Sequence, residues 1–425
     1  MGRKFRRLCR RRLLLLRDNK LFKGGDKIKI YKSITLPIKT SQKNIDYFFE
    51  CNRETGRVWN ECIKLTKVLL DKGEYANRKF LQDNIKGNFS STLYAKCMQV
   101  TCIKYMSSIK GIMVARRNGR TDMNYTWKYK KYYNTIWDVS CLKIDYENNR
   151  IGLPKPSIVI DGKKKNQKPI YLKFKYPLPQ NIKQVEVLYK DGLKLAINYC
   201  IEEECMQVES DNICAVDLGE IHSIASIDNN SNPLIITGRE IRSIQRFRNK
   251  ELGKLQRKLS YCTKNSRNYK KYRKAIRKLT SKSDAKMDYC INKTAKLFME
   301  YVFENDIKTV VVGDLKNFNM NLSSSYSTQQ KVCQWIHGQM VRRIKYNLER
   351  YNIEVIEISE AYTSQTCPSC QSKYKPTNRN YICKSCGYEN HRDIVGAINI
   401  LSKYINDGEI KDLGLDITQI KYLRI

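Results

Sequence analysis

The sequence predicts an α/β fold: a mixed-sheet domain with an inserted metal-stapled loop, preceded by a small β-barrel that an α-helical lobe splits in two. Three observations predict it. Two Cys-x-x-Cys knuckles, Cys367/Cys370 and Cys383/Cys386, are separated by 12 residues. Each two-residue gap lets a tight turn present two thiolates to one tetrahedral ion, which is the ligand spacing of a zinc ribbon. Short apolar strand patterns alternate with helical ones from about residue 213 to residue 401. Alternating β-rich runs stand on both sides of a long helical stretch in the first half of the chain.

Composition narrows the class. The chain has 425 residues, enough for two or three cores, and carries 80 Lys and Arg against 42 Asp and Glu, a formal charge of +38. Self-repulsion of that size opposes compaction, so a polyanion partner, nucleic acid, is expected. Of the 16 cysteines only the four of the knuckles form a spaced set. The scatter of the others, such as Cys62, Cys141, Cys214 and Cys290, points to a reducing, intracellular compartment rather than a disulfide framework. No apolar run reaches the roughly 20 residues that a bilayer span needs, so no membrane partner is expected.

The elements follow in order. Residues 1–26 begin with a basic block, Arg3 to Arg12, and Leu13 to Leu16 are too few for a signal peptide; a basic arm is expected. Residues 27–41 alternate and form the first part of the barrel. Residues 42–138 hold the helical lobe, where Phe48, Val58, Trp59, Cys62, Leu65, Val68 and Leu69 suit one buried face. Its end, 125–133, interleaves Lys128, Lys130 and Lys131 with aromatic rings. That pattern suits either phosphate pairing with base stacking or a solvated strand edge. Residues 139–208 complete the barrel, with Lys190-Asp191-Gly192 as a hairpin turn and Lys163 to Lys165 on an exposed loop.

Residues 209–361 form the main sheet domain. Ile213 to Asp217, His222 to Ile227 and Pro233 to Thr237 read as strands, and the basic helices at 239–305 carry Lys254, Arg257 and Lys258 as candidate nucleic-acid contacts. Thr309 to Asp314 is a buried strand. Val332, Ile336, Met340, Ile344 and Leu348 mark an amphipathic helix, and Glu354 to Ile358 is a strand leading to Glu360. The ribbon occupies 362–389, a last helix 390–404, and a loosely ordered tail 405–425.

Three strands, helix, strand, helix, strand and a final helix opening at Asp393 is the element order of an RNase H-like sheet, whose first strand is central with the fourth beside it. Asp217 ends the first strand, and carboxylates at the ends of adjacent strands converge. Asp217, Glu360 and Asp393 a few ångströms apart would hold divalent ions for phosphodiester chemistry, whereas each taken singly suits ordinary capping. His391 is expected in helix-start packing.

Ala-Val-Asp217-Leu-Gly, Val-Val-Gly313-Asp-Leu, Tyr-Thr-Ser-Gln-Thr-Cys-Pro-Ser-Cys, the second Cys pair and His-Arg-Asp393…Ala-Ile-Asn399-Ile together resemble the transposon-encoded TnpB family. The related Fanzor proteins and compact type V CRISPR effectors are similar. The resemblance is most specific from about 211 to 401. It implies a RuvC-type nuclease domain, a helical recognition lobe and a β-barrel wedge domain, with a guide RNA and a double-stranded DNA target as partners. It implies Mg²⁺ at the carboxylates and a structural zinc on Cys367, Cys370, Cys383 and Cys386. One departure stands out: Gly313 occupies the position where many members carry the second catalytic glutamate. Glycine cannot hold a metal, but it leaves room for Glu360 to reach across from the neighbouring strand, with Asp314 the competing candidate.

The expected function is therefore RNA-guided, Mg²⁺-dependent cutting of DNA by a mobile-element protein. It would act in nucleoid or cytoplasm of a bacterium, or in the nucleus or viral factory of a eukaryotic or viral host. The alternatives are a nuclease-inactive RNA-guided DNA binder, which Gly313 favours, and a transposase that performs strand transfer itself.

Overall fold

The computed structural model describes residues 27–125, 127–189, 192–204, 210–314, 336–374, 376, 378–417 and 419–425. The expected basic arm, the turn residues Lys190 and Asp191, and Val332 lie outside them. The chain divides into two compact units, one of residues 29–203 and one that contains residues 204–425. No helix among the described residues is long and apolar enough to cross a membrane.

In the first unit β1 (Lys27–Pro37) leads to three helices, α1 (Gln42–Asp71), α2 (Arg78–Asn88) and α3 (Ala95–Arg117). Ser41 Oγ and Asn77 Oδ1 accept the amide hydrogens of Asn44 and Phe80, capping α1 and α2. Val58, Trp59, Cys62 and Ile63 of α1 pack on Leu81, Ile85, Cys102 and Tyr105. Val68 departs from the expected stripe: it is 53 % exposed. The buried stripe runs from Val58 through Ile63 to Thr66, and Val68 falls on the outer side of the turn.

The strands of this unit, β2 (Thr135–Asp138), β3 (Lys143–Asp145), β4 (Arg150–Leu153), β5 (Ile158–Ile160), β6 (Lys163–Lys165), β7 (Ile170–Lys173), β8 (Ile182–Tyr189) and β9 (Leu193–Glu204), form separate ladders rather than one closed ring. A four-stranded sheet ordered β1-β9-β8-β2 and a three-stranded sheet β3-β4-β7 close over a shared core of Trp137, Ile151, Leu153, Leu172, Val185 and Leu195. Lys163 to Lys165, expected on a loop, are strand β6 of a two-stranded hairpin with β5. Cross-strand pairing satisfies their backbone, while the side chains of Lys163 and Lys165 remain exposed.

The second unit is built on a six-stranded sheet ordered β14-β13-β10-β11-β12-β17. Its strands are β10 (Asn212–Asp217), β11 (His222–Asp228), β12 (Leu234–Thr237), β13 (Ile307–Asp314), β14 (Glu354–Ser359) and β17 (Lys421–Leu423). β10, β11 and β12 run antiparallel, whereas β13 and β14 add in parallel on the other side. β10 is therefore central with β13 beside it, as the element order predicts. Helices α4 (Arg239–Ser260), α5 (Arg267–Glu304) and α6 (His337–Leu348) interrupt the strands, and α7 (Arg392–Ile405) follows them.

Both faces of β10 and β13 are covered, which explains their unbroken apolar runs. Cys214, Val216, Val310 and Val312 pack with α5 and α6, while Ala215 and Val311 pack with α7. The 405–425 stretch is not a loose tail: β17 pairs in parallel with β12, and Leu413, Leu415, Ile417 and Ile420 pack on the α7 side of the sheet. Their apolar spacing supplies the burial that a polar tail would lack.

Candidate metal centre

Side chains two apart on a strand share a face. Asp217 follows Ala215, and Gly313 follows Val311, so both lie under α7. Val216 pairs with Val312, which sets Asp217 and Gly313 side by side. On β14, Ile358 pairs with Gly313, and Glu360, two residues on, returns to the same face. A Cβ built on Gly313 would stand 2.6 Å from Glu360 Oε2 and 3.2 Å from Glu360 Cβ. The Glu360 side chain thus lies over the bare backbone of Gly313. Asp314 falls on the opposite side by alternation, yet its charge still acts on Glu360.

Helix α7 closes the site. Asp393 stands in its first turn, and the His391 side chain caps the helix by accepting the Asp393 amide at 3.2 Å. One turn in, a Cβ on Gly396 would lie 2.5 Å from Asp217 Oδ2. Glycine there costs about 1 kcal/mol of helix propensity against alanine, and the space it leaves is filled by the Asp217 carboxyl. Arg379 Nη1 donates to Asp393 Oδ2 at 2.6 Å.

The electrostatics are those of crowded, poorly solvated acids. Burial, then the charges of Glu360 and Asp393, push the Asp217 carboxyl up to about 8, against the pull of Arg392 and Arg379. Burial and then Asp314 push Glu360 up to about 7. Glu360 Oε2 is buried and has no hydrogen-bond partner among the described residues. An orphaned carboxylate oxygen suits a hard divalent cation, whose ligands are oxygens of this kind, although the ligand oxygens of Asp217, Glu360 and Asp393 do not all lie within 4.8 Å of one another.

The four cysteines between Glu360 and Asp393 also converge. Their sulfurs lie within 4.8 Å of one another, with Cys367–Cys386 at 3.7 Å and Cys370–Cys383 at 3.5 Å. Zn–S bonds of about 2.3 Å in a tetrahedron put sulfurs about 3.8 Å apart, so the set fits zinc. The second knuckle sits on the β15 (Asn380–Ile382)–β16 (Glu389–His391) hairpin and turns at Gly387, whose φ is +74°. Cys367, Tyr381 and Cys383 pack on Val395 of α7.

Asn399 ties these parts together. It is fully buried, and its Nδ2 donates to the carbonyls of Thr363 at 2.6 Å and Thr366 at 2.7 Å. It thereby holds the segment between Glu360 and the first knuckle against α7. Asn399→Leu leaves both carbonyls unpaired, and a loss of roughly 1–3 kcal/mol is expected. Urea unfolding at fixed zinc would measure it; a variant as stable as wild type would remove this anchoring role.

The expected nucleic-acid contacts differ in their surroundings. Lys128 and Lys131 are exposed. Lys130 is used internally: its Nζ lies 3.6 Å from the Trp59 ring centre and 3.7 Å from that of Tyr133. Its amide donates to Asn60 Oδ1 at 2.7 Å, so it clamps its loop on α1. On α4, Arg257 and Lys258 are exposed, and Lys254 pairs with Glu251 at 2.7 Å. A cavity of about 370 Å³ in the first unit, lined by Met106, Met113, Tyr125 and Trp127 among others, contains none of the carboxylates. Arg379, Gly396 and His222 were not singled out from sequence. Gly396, a helix-breaking type inside the apolar run of the last helix, carried the only signal, that of a close approach.

A mixed sheet with three acids at one end, closed by a helix and interrupted by a Cys₄ loop, has its counterparts among known proteins. The Cas12f1 chain of a Cas12f1–sgRNA–target DNA complex matches at a TM-score of 0.59 with 15 % identity, over 85 % of this chain and 83 % of that one, which shows the fold. A family profile described as "Probable transposase" matches residues 196–319, and one described as "Cas12f1-like, TNB domain" matches residues 337–400. The TnpB-like protein ORF457 of Acidianus two-tailed virus is 22 % identical over 201 residues, 46 % of this chain and 43 % of that protein. InsQ of Escherichia coli (strain K12), whose name includes the words RNA-guided DNA endonuclease, is 23 % identical over 286 residues, 61 % of this chain and 63 % of InsQ. The chain thus spans less than two thirds of either relative. Over these stretches it is similar to TnpB-like proteins.

Proposed function

We propose that the chain is an RNA-guided DNA endonuclease of a mobile element, with a RuvC-type metal centre on Asp217, Glu360 and Asp393. The observation that carries the reading is the buried Glu360 Oε2, without a hydrogen-bond partner among the described residues, lying over Gly313 on the sheet face that Asp217 shares. It meets the objection that Gly313 lacks a carboxylate, because the neighbouring strand supplies one in the same space. Asp217 and Glu360 would hold a divalent ion there, which would supply an activated water and stabilise the leaving oxygen. Asp217 and Glu360 would contribute oxygen ligands and must give up their protons to do so. Gly313 and Gly396 leave the two carboxyls their positions, and α7 covers the sheet face on which they lie. The Cys₄ ribbon would hold zinc as a closed structural site, since four thiolates leave no open position.

The basic surface fits guide RNA and double-stranded DNA as partners, with base pairing supplying sequence specificity and Lys and Arg contacting backbones. Residues 27–41 and 139–208 would act as the wedge, 42–138 as the recognition lobe, and the whole would work inside the cell.

The test is cleavage of a matched plasmid by protein purified with its co-expressed RNA. Cutting is expected with Mg²⁺, not with EDTA, and not by Asp217→Ala, which should still bind RNA. Free, unjoined ends are expected; joined ends would indicate strand transfer, and RNA-dependent DNA binding without cutting would show an occluding binder instead.

A further inference from the structure

Asp393 has neighbours that the carboxylate centre does not use. The chain contains three histidines, and two of them, His222 and His391, meet beside this one acid. A ring nitrogen of each and an oxygen of Asp393 all lie within 4.8 Å of one another. The two rings stand 5.1 Å apart at 84°. His222 is only 9 % exposed, and its Nδ1 has no hydrogen-bond partner among the described residues.

Local structure sets this arrangement. The turn after β10 is tight enough that a Cβ on Gly219 would lie 2.7 Å from the His222 carbonyl oxygen, and the Gly219 amide donates to that oxygen at 3.0 Å. The β11–β12 register then shifts between His222 and Ile224. Such irregularities re-aim a side chain, and they recur beside active sites. His391 comes from the end of β16, on the ribbon side, and Asp393 from the start of α7.

Ordinary packing accounts for two rings in edge contact, but not for a buried imidazole nitrogen left without a partner, which costs about as much as a lost hydrogen bond. Two imidazoles and one carboxylate from separate elements are a donor set suited to transition ions rather than to Mg²⁺. The remaining contacts leave room for one. Arg379 takes Asp393 Oδ2, so Oδ1 remains. His391 Nδ1 accepts the Asp393 amide at a long 3.2 Å, and ligation at that nitrogen would replace the bond. Tyr422 of β17 packs edge-on to His391, with ring centres 6.4 Å apart.

We propose that His222, His391 and Asp393 form a second divalent-ion position beside Asp217 and Glu360, one that takes a transition ion through imidazole nitrogen. This deepens the reading of the site as a metal nuclease centre and rests on it for the part played by Asp393. The centre would then be asymmetric, with one all-oxygen position and one mixed nitrogen–oxygen position.

Mn²⁺ tests it, added to the zinc-loaded, full-length protein with its RNA. Bound ions are counted from the free-Mn²⁺ electron paramagnetic resonance signal, and pulsed electron spin-echo spectra read ¹⁴N coupling. A directly bound imidazole nitrogen is expected in wild type. Its signal should vanish in His222→Ala and weaken in His391→Asn, which keeps a capping side chain, with Mn²⁺ affinity falling at least tenfold in each. Asp217→Ala should keep the nitrogen coupling while losing cleavage. Mn²⁺ bound by wild type without nitrogen coupling would overturn this inference alone, even if a histidine variant failed to fold. No bound Mn²⁺ at all would overturn the nuclease-centre reading with it.

Discussion

Gly313→Ala is expected to remove nearly as much DNA cleavage as Glu360→Ala, about a hundredfold or more, while leaving the fold intact. The added Cβ would stand 2.6 Å from Glu360 Oε2, so the carboxyl must move. Moving the free end of a glutamate is cheap for stability, Ile400 Cδ1 at 3.1 Å and Glu360 Cβ at 3.2 Å need give only a few tenths of an ångström, and Gly313 lies in a regular strand. For a metal ligand the same displacement is severe, because a shift of about 1 Å in a reacting constellation costs about a hundredfold in rate. Gly396→Ala should behave alike through Asp217, whose Oδ2 lies 2.5 Å from the new Cβ, although alanine is the better helix former. Melting temperatures within about 2 °C of wild type, with cleavage lost, are expected. Full activity in Gly313→Ala would detach Glu360 from catalysis and return Asp314 to candidacy.

Metal affinity should climb steeply with pH. With Asp217 at about 8 and Glu360 at about 7, both carboxyls are ionised in only about one molecule in a thousand at pH 6, against most molecules at pH 9. Since only the ionised forms bind, affinity for the divalent ion should rise up to about 10³-fold over that range, with about two protons released per binding event at the acid end. Cleavage at sub-saturating Mg²⁺ is the readout. Stability moves the other way without metal. Both folded-state values lie above the unfolded ones of 3.8 and 4.5. The folded state therefore gains from holding these protons, fully so below about pH 4, and the gain is lost as pH rises through 7 and 8. Metal-free protein should thus melt lower at pH 9 than at pH 6 by a margin that Asp217→Asn with Glu360→Gln abolishes. A margin of opposite sign would mean that the acids are ordinarily ionised and the site is not primed for a cation.

Much of the second unit was legible because its signals are one-dimensional. Cys-x-x-Cys spacing, the apolar runs of β10 and β13, and acids at strand ends can be read without knowing what packs on what. Period-two alternation even set Glu360 and Gly313 on one face once their strands were taken as neighbours. What escaped depends on register and on side chains from distant elements. Gly396 matters only because α7 crosses over Asp217, and His222 only because β11 shifts against β12. Lys130 reads as a phosphate contact until Trp59 and Tyr133 are seen around it. Val68 looked inward because a stripe drawn from periodicity carries about one position of freedom at its edge. The 405–425 stretch reads as a tail because β17 has three residues, and so short an edge strand is defined by β12 rather than by its own pattern.

Helix α4 buries a single residue, Ile241, and α5 buries none before Ser283. The first 16 residues of α5, about 24 Å of helix, therefore have no fully buried residue anchoring them to the sheet. Between Arg267 and Lys282 they hold eight Lys and Arg and no acid. Such an arm attracts a polyanion largely through the counterions it sets free. If all eight charges met phosphates, its contribution would weaken about 10⁴-fold between 50 and 200 mM salt. The grip of this arm is thus a property of the ionic medium as much as of the chain.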